Sequence, residues 1–214
     1  MSAGKTIAVI DYGMGNLRSV SKALEHVAGG KQVIVTADPA QVAAAERVVF
    51  PGQGAMPDCM RELDARGLRP AVLAAARDKP FLGICIGLQM LFEHSEEGNV
   101  SGLGVFKGDV RRFPDSKMLA ADGQCLKVPH MGWNNVRQKP HALWSAIADG
   151  SRFYFVHSYC VQPVDPALET GATEYGVPFT CAVARDNIFA VQFHPEKSAR
   201  DGLQLLQNFV EWRP

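Results

Sequence analysis

The chain has 214 residues, enough for one well-packed domain and few for two. Lys+Arg and Asp+Glu balance at 22 each, so no net field recommends nucleic acid or an anionic membrane as partner. No apolar run approaches the roughly 18 residues of a membrane span, and the apolar part of "MSAGKTIAVIDYG" is too short for a signal peptide.

The first half alternates two periodicities. "KTIAVID" (5–11) predicts a strand, and "NLRSVSKALEHVAGG" (16–30) a helix, with Leu17, Val20, Leu24 and Val27 at helical spacing before terminating glycines. "QVIVT" (32–36) and "RVVF" (47–50) predict strands, the stretches around 56–65 and 68–77 helices. "PFLGI" (80–84) is a further strand running into a helix. Near-continuous Val/Ile/Leu strands alternating with helices predict an open, mostly parallel sheet covered on both faces. After about residue 104, "GVFKGDVRRF", "WNNVR", "SRFYFVHSYCV", "FTCAVARD" and "IFAVQFH" read as strands joined mostly by turns, an antiparallel extension. "SARDGLQLLQNFVEW" (198–212) predicts a closing helix. Without a repeat or a Pro/Ser-rich linker, residues 1–214 are expected to form one α/β domain.

Five cysteines (Cys59, Cys85, Cys125, Cys160, Cys181) are an odd number at irregular spacing, with no C-x-x-C pair. Neither a disulfide framework nor a metal site is indicated, and a reducing cytoplasm is the expected setting.

Ligand sites in open α/β sheets lie beyond the carboxyl ends of the strands. Cys85 stands at such an end, between Gly83 and Gly87, where a strand–helix elbow would project its thiol into the cleft. A helix N-terminus favours thiolate, although a buried packing cysteine is the alternative. A cysteine nucleophile needs a base and an orienting group. Of six histidines, His194 ends an apolar strand and is followed closely by a carboxylate, in "FAVQFHPEKS". Pro195 fixes φ near −65°, so His194 and Glu196 form a rigid pair in which Glu196 can orient the imidazole. "PGQGAM" (51–56) follows the strand "RVVF". Its backbone N–H groups could complete an oxyanion hole with the N–H after Cys85, that of Ile86, or it could be an ordinary tight turn. "YGMGN" (12–16) lacks the spacing of a phosphate loop, which speaks against nucleotide binding.

Together "GICIG", "PGQG" and "HPE" resemble the class I (triad) glutamine amidotransferases, which hydrolyse glutamine to glutamate and ammonia on a flavodoxin-like α/β fold. "DYGMGNLRSV", "LQMLFEHSEEG", "VPHMGWNNV", "FYFVHSY" and "VQFHPEKS" are similar to the glutaminase subunits of imidazole glycerol phosphate synthases of histidine biosynthesis. The likeness runs from the first strand to the last helix. It implies Cys85 as nucleophile, His194 as base and Glu196 as its orienter, with Gly52, Gln53 and Ile86 at the oxyanion hole. Gln89, Glu97 and Gly54 match substrate-contacting positions, and Asn16, Trp133, Tyr159 and Lys197 match the face that meets the synthase subunit. Two residues depart from the pattern: Ile86 stands where Leu is commoner, and Gln53 where a small or apolar residue is.

The resemblance implies no metal and no organic cofactor. It implies a (β/α)₈ synthase (cyclase) partner in a heterodimer; at about 250 residues that barrel does not fit in this chain. The partner would use the ammonia to make imidazole glycerol phosphate and an aminoimidazole carboxamide ribonucleotide. A glutaminase for another synthase, of the anthranilate or guanylate type, is the nearest alternative. A non-catalytic regulatory subunit and a cysteine hydrolase with a similar elbow are more distant ones.

Overall fold

The computed structural model describes residues 6–114, 123 and 125–214, so Lys5 of the expected first strand lies outside the described residues. The first half runs β1 (Thr6–Ile10), α1 (Leu17–Val27), β2 (Gln32–Thr36), α2 (Pro39–Ala44), β3 (Arg47–Gly52), α3 (Met56–Ala65), α4 (Arg69–Asp78), β4 (Phe81–Cys85) and α5 (Ile86–Gln89). The second runs β5 (Phe92–Ser95), β6 (Val100–Ser101), β7 (Phe106–Arg112), β8 (His130–Asn135), β9 (Arg137–Gln138), β10 (Arg152–His157) and β11 (Tyr159–Pro163). It ends with β12 (Glu169–Tyr175), β13 (Val177–Arg185), β14 (Ile188–Val191) and α6 (Ala199–Glu211).

One large sheet has the order β2-β1-β3-β4-β14-β13-β11-β7-β5-β6, with β12 paired to β13 and β9. From β2 to β14 every pairing is parallel, and β13 turns the sheet antiparallel. The α/β fold with an antiparallel extension is thus as the hydrophobic pattern requires: β1, β3, β4 and β14 are buried almost throughout, as strands covered on both faces must be. Helices α1 and α6 pack together, as do α2 and α4, and right-handed crossovers put the two pairs on opposite faces. A two-stranded antiparallel ribbon, β8 with β10, stands apart from the large sheet.

Register decides where the site lies. Gly52 at the end of β3 pairs with Cys85 at the end of β4, and Val191 at the end of β14 pairs with Ile84. Three neighbouring parallel strands therefore stop at one level. The loops that follow them, 53–55, 86–89 and 192–197, emerge side by side.

Some elements differ from the expectation. The helix after Cys85 is a single turn. Beyond it the backbone is captured by the segment 102–106: Leu103 N–H donates to Met90 O at 2.7 Å and Phe106 N–H to Leu91 O at 2.9 Å. The chain leaves the helix as strand β5. Helix α2 and strands β5, β6 and β12 were not expected. Among the described residues no helix is long and apolar enough to cross a membrane.

Candidate active site

Cys85 joins β4 to α5 at φ 56°, ψ −111°, in the positive-φ region that L-residues avoid. Such a backbone costs on the order of 1–3 kcal/mol and persists only where packing dictates it. The packing is tight: a Cβ on Gly87 would overlap the Phe50 carbonyl oxygen of β3, so only glycine lets α5 sit this close. The elbow delivers the Cys85 side chain to a cavity of about 250 Å³ whose wall includes Gln53, Gly54, Ile86, Gln89, Glu97 and His194. Since α5 has only four residues, its dipole is too short to be the main source of thiolate stabilisation, contrary to the expectation of a full helix behind the thiol.

His194 follows β14 and its imidazole faces the same cavity. Its Nδ1 lies 2.9 Å from Glu196 Oε1, with side chains 4% and 0% exposed. A carboxylate can only accept, so Nδ1 carries the proton and Nε2 is left as the basic nitrogen. Nε2 is buried with no hydrogen-bond partner among the described residues. Burial alone would depress the imidazole pKa, but the Cys85 sulfur and the Glu196 carboxylate outweigh burial and raise it. The backbone of the pair is pinned to the ribbon. His194 N–H donates to Tyr154 O at 2.9 Å, Tyr154 N–H donates to Ser198 Oγ at 3.0 Å, and Ser198 Oγ–H donates to His194 O at 2.6 Å.

The loop after β3 is anchored on both sides of the Gly52–Gln53 peptide. Tyr12 Oη–H donates to Pro51 O at 2.9 Å, and the Cys59 thiol donates to Gln53 O at 3.6 Å. Gly52 itself is packed: a Cβ there would fall 2.6 Å from Tyr12 Oη and 2.7 Å from Ile86 Cβ. The Gln53 and Gly54 surfaces are exposed toward the cavity, whereas Gly52 and Glu196 lie behind its wall. Gln89 is 1% exposed. Its Nε2 donates to Gln192 Oε1 at 3.0 Å and Tyr159 O at 3.2 Å, and its Oε1 has no partner among the described residues. Glu97 Oε2 accepts from Met56 N–H at 2.8 Å, which fixes the carboxylate at the cavity rim.

The other thiols are placed differently. Burial pushes Cys59 up to about 11 and Cys160 up to about 12, and raises Cys181 well above the ordinary thiol range. Cys125 is exposed.

The four residues expected on the partner face do not all come together. Asn16 is the N-cap residue of α1. Trp133 is 44% exposed on β8 beside Met131 at 62%. Across the ribbon Trp133 pairs with Tyr154, rings 6.1 Å apart, and Lys197 Nζ sits 5.7 Å from the Tyr154 ring centroid. Tyr159 lies apart from this ring cluster and lines the cavity with Cys85. The tyrosine beside Trp133 is Tyr154, because β-pairing sets it opposite Trp133. Sequence reasoning also missed Tyr12, Gln192 and the buried pair His130–His157. Only Gln192 had a visible signal: a polar residue inside the apolar run "FAVQF".

The class-I glutamine amidotransferase family description matches residues 8–212. Over 212 residues the chain is 85% identical to the imidazole glycerol phosphate synthase subunit HisH of Dechloromonas aromatica (strain RCB), with 99% of each chain covered. Over 209 residues it is 71% identical to the subunit of the same name from Aromatoleum aromaticum, covering 97% of this chain and 99% of that one. In fold it is similar to PurLQS from Thermotoga maritima (TM-score 0.70, 19% identity, 97% and 98% covered). It is likewise similar to a solved glutamine amidotransferase (TM-score 0.69, 16% identity, 96% and 97% covered). The chain therefore belongs to the class-I glutamine amidotransferases and, within them, to the HisH family of imidazole glycerol phosphate synthase subunits.

Proposed function

We propose that residues 1–214 form one glutaminase domain that hydrolyses glutamine with Cys85, His194 and Glu196 and hands the ammonia to a (β/α)₈ synthase subunit in a heterodimer. One observation carries the reading. A strained, cavity-facing thiol shares its pocket with an imidazole whose Nδ1 is hydrogen-bonded to a buried carboxylate, which leaves Nε2 to the thiol.

His194 Nε2 takes the thiol proton, and Cys85 Sγ attacks the side-chain amide carbon of glutamine. The oxyanion that forms is met by backbone N–H groups of the loop at Gly52 and Gln53 and of Ile86. His194 returns the proton to the leaving nitrogen, ammonia departs, and a thioester remains on Cys85. Water, deprotonated by the same imidazole, then releases glutamate. Glu196, hydrogen-bonded to Nδ1, stabilises the imidazolium that forms in each step. Gln89, Glu97 and Gly54 line the pocket that would hold the amino acid. Asn16, Trp133, Tyr159 and Lys197, with Tyr154 beside Trp133, form the face offered to the synthase. Every group these steps require is supplied by the chain itself, the substrate and one water.

Tyr12 and Cys59 anchor the carbonyls on either side of the Gly52–Gln53 peptide, and a glycine at its start permits that peptide to turn, so partner binding could aim the Gln53 N–H. The test is glutaminase kcat for the chain alone, with the synthase subunit, and with that subunit plus its nucleotide ligand. A rise of at least about 100-fold across the series is expected, roughly 2.7 kcal/mol, the worth of one oxyanion donor. Equal rates in all three states would contradict the switch, and failure of the two subunits to co-purify would contradict the partner.

A further inference from the structure

Cys85 and Gln89 are joined by a side chain that the triad leaves unexplained. Gln192, between β14 and His194, is fully buried, and its backbone N–H donates to Cys181 O at 2.8 Å. Its amide spans the gap between the two residues. Nε2 lies 3.7 Å from Cys85 Sγ, and Oε1 lies 3.0 Å from Gln89 Nε2.

One fixed acceptor sets the direction of the whole chain of bonds. The Tyr159 carbonyl oxygen can only accept, and it faces His157 Nδ1 at 2.8 Å and the Gln89 amide at 3.2 Å. Gln89 must therefore turn its NH₂ group toward Tyr159. That same NH₂ faces Gln192, which must answer with its oxygen. The nitrogen of Gln192 is then left facing sulfur. Turning Gln89 over would set oxygen against oxygen at Tyr159, and turning Gln192 over would set NH₂ against NH₂ between the two glutamines, inside a site where both are nearly or wholly buried. At the far end, the same logic leaves Gln89 Oε1 unpartnered at the cavity wall.

We infer that Gln192 is a positioning residue with two ends: its N–H donates to the Cys85 sulfur and favours thiolate, and its carbonyl locks Gln89 as an acceptor for an N–H of the bound substrate. A hydrogen bond to the charged form of an acid favours that form. An oxygen held at Gln89 suits the donor groups of an amino-acid amide, its carboxamide NH₂ or its ammonium, and disfavours a carboxylate in the same place. The pocket would then grip glutamine and release glutamate. This inference rests on the glutaminase reading and adds a residue to it.

The test uses the full chain, with iodoacetamide as the probe of the Cys85 thiol and glutamine kinetics in the complex with the synthase subunit. Gln192→Met keeps the length of the side chain and removes both hydrogen bonds. The alkylation-rate profile is expected to move to higher pH by about one unit, the worth of one hydrogen bond to a charged group. The glutamine KM is expected to rise about tenfold. The rise should not add to that of Gln89→Met, since the two side chains act on KM as one unit. Should the Met variant fail to fold, Gln192→Glu retains an acceptor for Gln89 but sets a carboxylate beside the sulfur. It should alkylate more slowly than wild type at neutral pH, with KM changed little. An unmoved alkylation profile in folded Gln192→Met, or wild-type alkylation in Gln192→Glu, would overturn the inference. So would fully additive KM effects of Gln192→Met and Gln89→Met. Alkylation needs no turnover, so these outcomes are separate from failure of the glutaminase reading, which would show as turnover surviving Cys85→Ser.

Discussion

His194 and Glu196 are two residues apart, yet their roles differ in kind. In the proposed mechanism the imidazole moves a proton in every step, while the carboxylate holds Nδ1–H at 2.9 Å and moves none. His194→Asn is therefore expected to lower glutamine-dependent kcat nearly as far as removal of the Cys85 thiol, by about 10³-fold or more, because residues that act as one unit are not additive. Glu196→Gln keeps a hydrogen-bonding oxygen for Nδ1 but loses the counter-charge to the imidazolium. Its kcat should fall distinctly less. Steady-state kinetics on both variants, with circular dichroism to verify the fold, checks the ranking; equal losses would contradict it. Tyr12 supplies a residue-scale test of stability. Its hydroxyl donates to Pro51 O, and both residues are buried, so Tyr12→Phe leaves a carbonyl unsatisfied. A loss of about 1–3 kcal/mol is expected in urea unfolding.

At the scale of elements, the elbow depends on how closely α5 approaches β3. Gly87→Ala would drive a methyl group into the Phe50 carbonyl, backbone against backbone, where no side chain can yield. We expect a loss of at least about 3 kcal/mol in unfolding free energy, or no folded protein, the upper end of overpacking costs. A Gly87→Ala protein as stable as wild type would show that the approach is not required. The strands framing this elbow were legible in the sequence because burial on both faces writes unbroken runs such as "IAVI" and "RVVF". The three chemical motifs were legible because each sits at a strand's carboxyl end. What was hidden depended on partners. Helix α2 buries one side chain, Val42, and stands on the Asp38 cap, whose Oδ1 accepts from Ala40 N–H at 2.8 Å. "ETGATEY" has weak strand character and becomes β12 by pairing with β13. "LQMLF" reads as continuing helix until residues 102–106 take its backbone groups. That Tyr154 stands beside Trp133 could not be read without knowing that β10 pairs with β8.

For the molecule as a whole, pH sets stability through histidines the chemistry does not use. His130 Nδ1 and His157 Nε2 meet at 3.0 Å, with His130 stacked between Phe155 and Tyr175. Burial holds His130 down to about 4 and His157 to about 3, and it lowers His141 as well. The unfolded chain takes up protons at these sites near pH 6.5, while the folded chain does not until far lower. Stability is therefore full above about pH 6.5 and is lost as pH falls toward 4. His194 has the opposite sign: its raised pKa contributes below about 6.5, and that part is lost as pH rises through about 10. Between pH 7 and pH 5 the urea unfolding free energy should drop by a few kcal/mol. His157→Gln should flatten that slope, and a wild-type curve flat over this range would contradict the assignment. The central claim concerns Cys85, and one measurement on the reconstituted complex tests it most directly: synthesis by Cys85→Ser driven by glutamine and, separately, by an ammonium salt. Glutamine-driven synthesis should vanish while ammonium-driven synthesis remains near wild type, because on the proposed reading one chain makes ammonia and the other uses it. Glutamine-driven turnover persisting above a trace in Cys85→Ser would contradict the account.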